Sequence, residues 1–229
     1  MCARKYNIIY ADPPWLYQFP GTRAEKLDDY PVMCTRDIAN MPVSAIAEEN
    51  SALLMWGIWP RLPDCLQVIS AWGFEYKTVA FVWVKTTAGA MVDQYSFLPV
   101  SSFAEFFGMG SYTRSNTEFC LLGLRGKMER ASASVRQIVY EPIRRHSEKP
   151  PVVRDKIIEL FGDLPRVELF ARSGGHGWDL WGNEVPCSIE LGAQNAMESG
   201  STAYNTGSTQ AGGTGQHTLS KRWAPFLAL

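Results

Sequence analysis

Between Lys5 and Pro186, short apolar runs of strand length alternate with amphipathic stretches of helical length, and this alternation limits the chain to few architectures. "YNIIY" (Tyr6–Tyr10), "SALLMWGI" (Ser51–Ile58), "TVAFVWVK" (Thr78–Lys85), "EFCLLGLRG" (Glu118–Gly126) and "RVELFAR" (Arg166–Arg172) carry the β-branched and aromatic residues of buried strands. "RLPDCLQVISAWGF" reads as a helix closing at Gly73, and "KPPVVRDKIIELFG" as one with prolines at its start and Gly162 past its end. Strand and helix in alternation predict an α/β fold, a mostly parallel sheet flanked by helices.

The first strand ends abruptly in "ADPPW". Asp12 falls at its carboxyl end, Pro13 and Pro14 forbid further sheet pairing, and Trp15 projects from a stiffened turn. Carboxyl ends of strands are where open α/β sheets bind ligands. An acid or amide, two prolines and an aromatic in succession arise by chance in about one chain in a hundred of this length. The arrangement suits one chemistry well. An exocyclic amine on adenine is a poor nucleophile because its lone pair is delocalised into the ring. A carboxylate and a rigidly aimed carbonyl, each accepting one N–H, draw that nitrogen toward tetrahedral geometry and free the lone pair. The tryptophan offers a face for a base taken out of its stack. Asp12 as a metal-binding acid in a phosphate site is disfavoured, since the chain has no G-x-x-x-x-G-K-[ST].

The rest of the chain bounds the answer. Its 229 residues, 46% apolar, suffice for one full core, expected over residues 1–186. Residues 187–229 turn rich in Gly, Ser and Thr ("ESGSTAYNTGSTQAGGTGQ") and are expected to form a disordered tail, with apolar "RWAPFLAL" at its end. Five scattered cysteines without C-x-x-C spacing fit a reducing cytoplasm, and neither a disulfide framework nor a metal site is expected. No apolar run is long enough to span a membrane. With a net charge of −1, nucleic acid could be attracted only through a local patch. Arg125–Lys149 provides one, with seven Arg/Lys (Arg125, Lys127, Arg130, Arg136, Arg144, Arg145 and Lys149) against three Glu. A solvated face is the ordinary reading of such a run; its place between two motifs favours contact with a nucleic-acid backbone.

"YADPPW", "GMGSYTRSNTEFCLLGLRG", "HSEKP" and "VELFARSGGHGWDLWGNE", in this order, resemble the S-adenosylmethionine-dependent adenine N-6 methyltransferases. That family includes the catalytic subunit of the eukaryotic messenger-RNA adenosine methyltransferase and bacterial and phage DNA enzymes. The resemblance spans roughly residues 5–186. It implies a Rossmann-like methyltransferase fold in permuted order, catalytic motif before cofactor motif. It also implies Asp12, Pro13, Pro14 and Trp15 as catalytic residues. For S-adenosylmethionine it implies Lys149 at the carboxylate, Glu168 and Arg172 at the ribose and methionine portions, Asn183 with Glu184 at the ribose hydroxyls, and Asp12 at the methionine amine.

Tyr112, Arg114 and Asn116, before the fourth strand, are expected near the substrate together with Trp15, Arg144 and Arg145; Glu118 would help orient that loop. Trp178 and Trp181 could line the site, although core packing is expected for at least one. The messenger-RNA enzyme holds the cofactor's adenine with an upstream Asp-Ile pair. Here Asp37 and Ile38, the "GHGWD" stretch or a partner chain are the candidates for that contact. The expected substrate is adenine in DNA. RNA, or a role as non-catalytic subunit, are the alternatives, and a homodimer or partner subunit is allowed for.

Overall fold

The computed structural model describes residues 4–16, 32–87, 106, 108, 112–144 and 148–191. Arg145, residues 192–229 and most of residues 88–111 lie outside these. In chain order the elements are β1 (Tyr6–Ala11), α1 (Thr35–Ala39), α2 (Val43–Ile46), β2 (Ala47–Gly57), α3 (Leu62–Ala71), β3 (Glu75–Thr86), β4 (Thr117–Arg125), β5 (Ile138–Pro142), α4 (Val152–Phe161), β6 (Arg166–Leu169) and β7 (Asp179–Trp181). The strands form one sheet in the order β5-β3-β4-β2-β1-β6-β7. β1 is parallel to β2 and β6, β6 to β7 and β3 to β5, whereas β4 runs antiparallel to both its neighbours. This is the mostly parallel α/β sheet that the alternation predicts, and it is consistent with the Rossmann-like methyltransferase fold that the resemblance implies.

Each face of the sheet is closed by a helix whose stripe can be read from its spacing. α3 buries Cys65, Val68 and Ile69, and these join Leu53, Met55, Phe119 and Leu121 in one apolar cluster. α4 buries Val153, Ile157 and Phe161 against Ile8, Leu54 and Trp56 on the other. Successive β2 residues thus alternate between the two cores, as a strand buried on both faces must.

Four elements went unread in the sequence. β5 lies inside what looked like a basic run; it is an edge strand that leaves Ile138 and Tyr140 exposed and ends at Pro142. β7 is three residues long, and α1 and α2 are five and four. Nor does the packed unit stop at Pro186. Cys187 and Ser188 bond back to Gly182 and Leu180, and Leu191 is buried in the α3-side core. Leu191→Ala should therefore cost about 2–5 kcal/mol in urea unfolding; a change under about 0.5 kcal/mol would show that these residues add nothing to the core.

From β1 the chain proceeds to β2 on one side, and later returns to β6 on the other. The connections leave β1 and β6 in opposite directions, so a crevice opens beyond their carboxyl ends. Being reversed, β4 brings its first residues to that same edge.

Candidate active site

Asp12 stands at this crevice, one residue beyond β1. The loop that follows is fixed by its own backbone. The Trp15 N–H donates to the Pro13 carbonyl (2.9 Å), the Met33 N–H to the Pro14 carbonyl (2.8 Å) and the Leu16 N–H to the Met33 carbonyl (3.1 Å). The Trp15 indole N–H donates to the Trp56 carbonyl at 3.0 Å, with the ring partly buried against the core. Prolines that cannot continue a sheet here set a turn, and the turn sets the tryptophan.

An open cleft of about 370 Å³ lies beside Asp12. Tyr10 and Asp12 from the end of β1, Glu148 and Lys149 ahead of α4, Arg154 on α4, and Glu168, Phe170, Arg172 and Ser173 around the end of β6 contribute to its walls. Four of the expected cofactor residues, Asp12, Lys149, Glu168 and Arg172, are thus brought together from segments far apart in sequence.

Charge in the cleft is organised as a chain. Lys149 lies 2.8 Å from Asp12 and 3.4 Å from Glu118, and Glu118 is 2.6 Å from Lys85. The side chains of Asp12, Glu118 and Lys149 are only 18%, 12% and 13% exposed. The Lys149 ammonium also sits 5.8 Å from the Trp56 ring centre, within cation–π range. Burial raises the Asp12 carboxyl above its ordinary pKa, although Lys149 opposes the shift. For Lys149, burial pulls the other way, yet the Asp12 and Glu118 carboxylates outweigh it and hold the ammonium protonated. Burial would also raise Glu118, but Lys149 and Lys85 overcome it and the net shift is down. Two carboxylates and two ammoniums compensate one another, so the cluster is neutral as a whole.

Glu168 does not present a bare carboxylate to the cleft. Arg154 grips it through both ends, Nε to Oε2 at 2.6 Å and Nη2 to Oε1 at 2.9 Å, and reaches the Ser173 hydroxyl at 3.3 Å. A planar guanidinium fork on a carboxylate is the strongest pairing of this kind, and it ties α4 to the segment bearing Arg172. Sequence reading missed Arg154 because it looked like one more polar helix position. Burial raises the Glu168 carboxyl, with Arg154 opposing.

The turn after β6 is unusual. Phe170 has φ 62°, a left-handed conformation that bulky residues rarely adopt. Its ring meets Trp181 edge-on at 5.4 Å, and the Ala171 N–H donates to the Trp181 carbonyl. A Cβ at Gly182 would collide with the Ala171 backbone, so glycine lets this turn rest against β7. Asn183 follows at once. It does not line the cleft, but both its amide nitrogen and its amide oxygen are buried without a hydrogen-bond partner. Orphaned donor and acceptor atoms on one side chain are rare in folded proteins and suit a ligand with hydroxyls. Glu184 is more exposed and lies 3.8 Å from Arg172.

Other expected residues fall elsewhere. Tyr112 is fully solvent-exposed and Arg114 is exposed, and Asn116 is tied by its carbonyl to the Lys85 N–H. Trp178 and Trp181 are both core residues. Ile38 is completely buried and its carbonyl accepts the Trp72 indole N–H, while Asp37 pairs with Arg36. The basic run divides. Arg125 ends β4 at the edge opposite Asp12, about 25 Å along the strand from Thr117, and donates to the Ser44 carbonyl. Lys127 follows it there, whereas Arg144, just past β5, is at the crevice edge and faces Glu141 at 3.6 Å. Among the described residues there is no cluster of three His, Cys, Asp or Glu suited to a metal ion, and no helix long and apolar enough to cross a membrane.

The α/β sheet thus carries an acid-proline-proline-aromatic turn at its switch point with a charged cleft beside it. The MT-A70 family model matches residues 6–184, and the chain belongs to this family of methyltransferases. The type II methyltransferase M.MunI of Mycoplasma sp is 33% identical over 85% of this chain and 84% of its own length. The N6-methyladenosine RNA methyltransferase MTA1 of Pyricularia oryzae is 26% identical over 80% of the chain, and the mouse N(6)-adenine-specific methyltransferase METTL4 28% over 87%. The chain spans 48% and 41% of those two longer relatives.

Proposed function

We propose that this protein transfers a methyl group from S-adenosylmethionine to the N-6 amine of adenine in DNA. The observation that carries the reading is Asp12, held on Lys149 in a cleft at the sheet's switch point and followed at once by the stiffened Pro13-Pro14-Trp15 turn. The likeness to M.MunI over most of both chains favours DNA.

S-adenosylmethionine supplies an electrophilic methyl group on a sulfonium centre. The donor set fits such a molecule: Lys149 and Arg172 suit its carboxylate, and the orphaned Asn183 amide with Glu184 its ribose hydroxyls. Glu168, locked to Arg154, shapes the cleft wall that this molecule would meet. For the substrate, Asp12 accepts one amine N–H. Pro13 accepts the other through the lone pair that its bond to Trp15 leaves open. Both acceptors are fixed before substrate arrives, so little reorganisation is needed at reaction. Trp15 lies under the flipped base. In the chain, then, the catalytic turn precedes the cofactor-binding turn. A reducing cytoplasm suits the free Cys34, Cys65, Cys120 and Cys187.

The test is direct. Purified protein is given labelled S-adenosylmethionine with DNA or RNA, and the product nucleosides are separated. Label in N6-methyldeoxyadenosine is expected. Label only in RNA would move the substrate, and no transfer at all would leave a binding subunit.

Asn183 offers a sharper check. Asn183→Ala removes no hydrogen bond within the protein, so the melting temperature should hold within about 2 °C. Cofactor affinity, by calorimetry, should fall about tenfold or more, as expected for losing paired polar contacts. Unchanged affinity would remove Asn183 from the cofactor site.

A further inference from the structure

We infer that Trp59 stacks on a nucleobase beside the target adenine when nucleic acid is bound, a role that rests on the nucleic-acid reading above. Trp59 is 44% exposed, whereas Trp56, Trp72 and Trp181 are fully buried. Its position is set by the sheet. β2 ends at Gly57 with Met55 opposite Ala11 of β1, so the single 3-10 turn Trp59–Arg61 begins just beyond the edge that carries Asp12. That turn is tied to the loop bearing Asp12 by the Arg61 guanidinium, which donates to the Leu16 carbonyl; the end of β2 just before it is tied to the same loop by the Trp15 indole, which donates to the Trp56 carbonyl.

The indole is also held still. Its N–H donates to the Thr117 hydroxyl at 2.8 Å, and its ring meets Phe119 edge-on at 4.9 Å. Gly57 makes room for this arrangement, because a Cβ there would lie 2.7 Å from the Phe119 ring and 2.5 Å from the Cys65 sulfur. Thr117 directly precedes Glu118, which helps hold Lys149. With its polar atom already satisfied inside the protein, what Trp59 presents to solvent is ring surface.

A rigid, exposed ring suits one class of contact. Every base has a π-face, and an aromatic side chain fixed in advance loses little entropy on stacking. Turning a target base out of the helix strips its neighbours of a stacking partner, and apolar side chains at the rim commonly replace it. Trp15 and Trp59 then divide the work: the first takes the target adenine, the second the base left behind. The competing role for Trp59 is a plug over Phe119, which would show in stability alone.

The experiment compares wild type, Trp59→Ala and Trp59→Phe on a methylatable duplex carrying 2-aminopurine next to the target adenine. Duplex affinity, its salt slope, cofactor affinity and melting temperature are all measured. Trp59→Ala should weaken duplex binding about tenfold or more. Its salt slope should stay unchanged, because no phosphate contact is lost. Cofactor affinity should hold, Trp59→Phe should recover most of the binding, and 2-aminopurine should brighten only in the alanine variant. Duplex affinity within twofold of wild type would overturn the inference. So would equal losses of duplex affinity, cofactor affinity and melting temperature. If wild type neither binds nor methylates nucleic acid, the proposed function fails and this inference with it; if wild type methylates DNA and Trp59→Ala binds it equally well, Trp59 alone is reassigned.

Discussion

Asp12→Ala is expected to reduce methyl transfer by about a thousandfold or more while cofactor affinity changes by less than about tenfold. The asymmetry follows from what Asp12 touches. In the cleft its bond to Lys149, at 2.8 Å, is the main one, and Lys149 keeps a second carboxylate in Glu118 when Asp12 is gone. The fold is expected to tolerate the change: burial disfavours the Asp12 carboxylate, so removing it relieves a cost as well as losing a pair. In the proposed reaction the substrate amine has no such reserve, because the one charged acceptor assigned to it has been deleted. Asp12→Asn refines the reading, since it keeps an acceptor oxygen but not the charge. It should fall between wild type and alanine in rate. Single-turnover transfer and calorimetric cofactor binding decide the matter. Near wild-type turnover in the alanine variant would exclude Asp12 from the reaction.

Why could this much be read from the chain, and not the rest? Local chemistry was legible. β1, β2, β4 and β6 announced themselves because most of each run is buried and hence largely apolar, and β3 because its later half is rich in β-branched and aromatic residues although only partly buried. α3 and α4 did so because one stripe of each is buried. Asp12 and its prolines stood out because that turn makes no sense as ordinary packing. β5 and β7 were hidden for the opposite reason: an edge strand and a three-residue strand need no apolar run of their own. The register that carries Arg125 to one edge and Arg144 to the other is a property of strand direction, which residue order alone does not give. Long-range pairing escaped notice as well. Nothing near Lys85 in the sequence mentions Glu118, 33 residues away, nor does the helix holding Arg154 reveal that its partner is Glu168. The resemblance named Asp12, Lys149, Glu168 and Arg172 of the cleft, but the charge network among its residues emerges only once the strands are laid side by side.

That network makes Lys149→Met the most destabilising single change we expect. Methionine keeps much of the apolar stem beside Trp56 but leaves Asp12, Glu118 and Lys85, a net charge of −1 in place of neutrality. Breaking a buried pair from one side typically costs about 3–5 kcal/mol, or a melting temperature lower by about 10 °C in a chain of this size. Glu118 retains Lys85 at 2.6 Å, so Asp12 bears most of the loss. Its folded pKa, raised by burial even with Lys149 beside it, must then climb further above the unfolded value near 4. A carboxyl that binds its proton more tightly when folded gains stability as pH falls. The deficit of Lys149→Met should therefore be full near pH 8 and narrow steadily toward pH 4, where Asp12 becomes neutral. In wild type the Lys149 contribution is present throughout this range, since its raised pKa confines any loss to strongly alkaline solution. Asp12→Asn combined with Lys149→Met removes the uncompensated charge and should recover most of the melting temperature at pH 8 without recovering methyl transfer. Thermal unfolding from pH 4 to 8 measures all three proteins. A deficit that stays constant with pH, or a double variant no more stable than Lys149→Met, would mean that Lys149 supports the fold by packing and that the Asp12 charge is stabilised elsewhere.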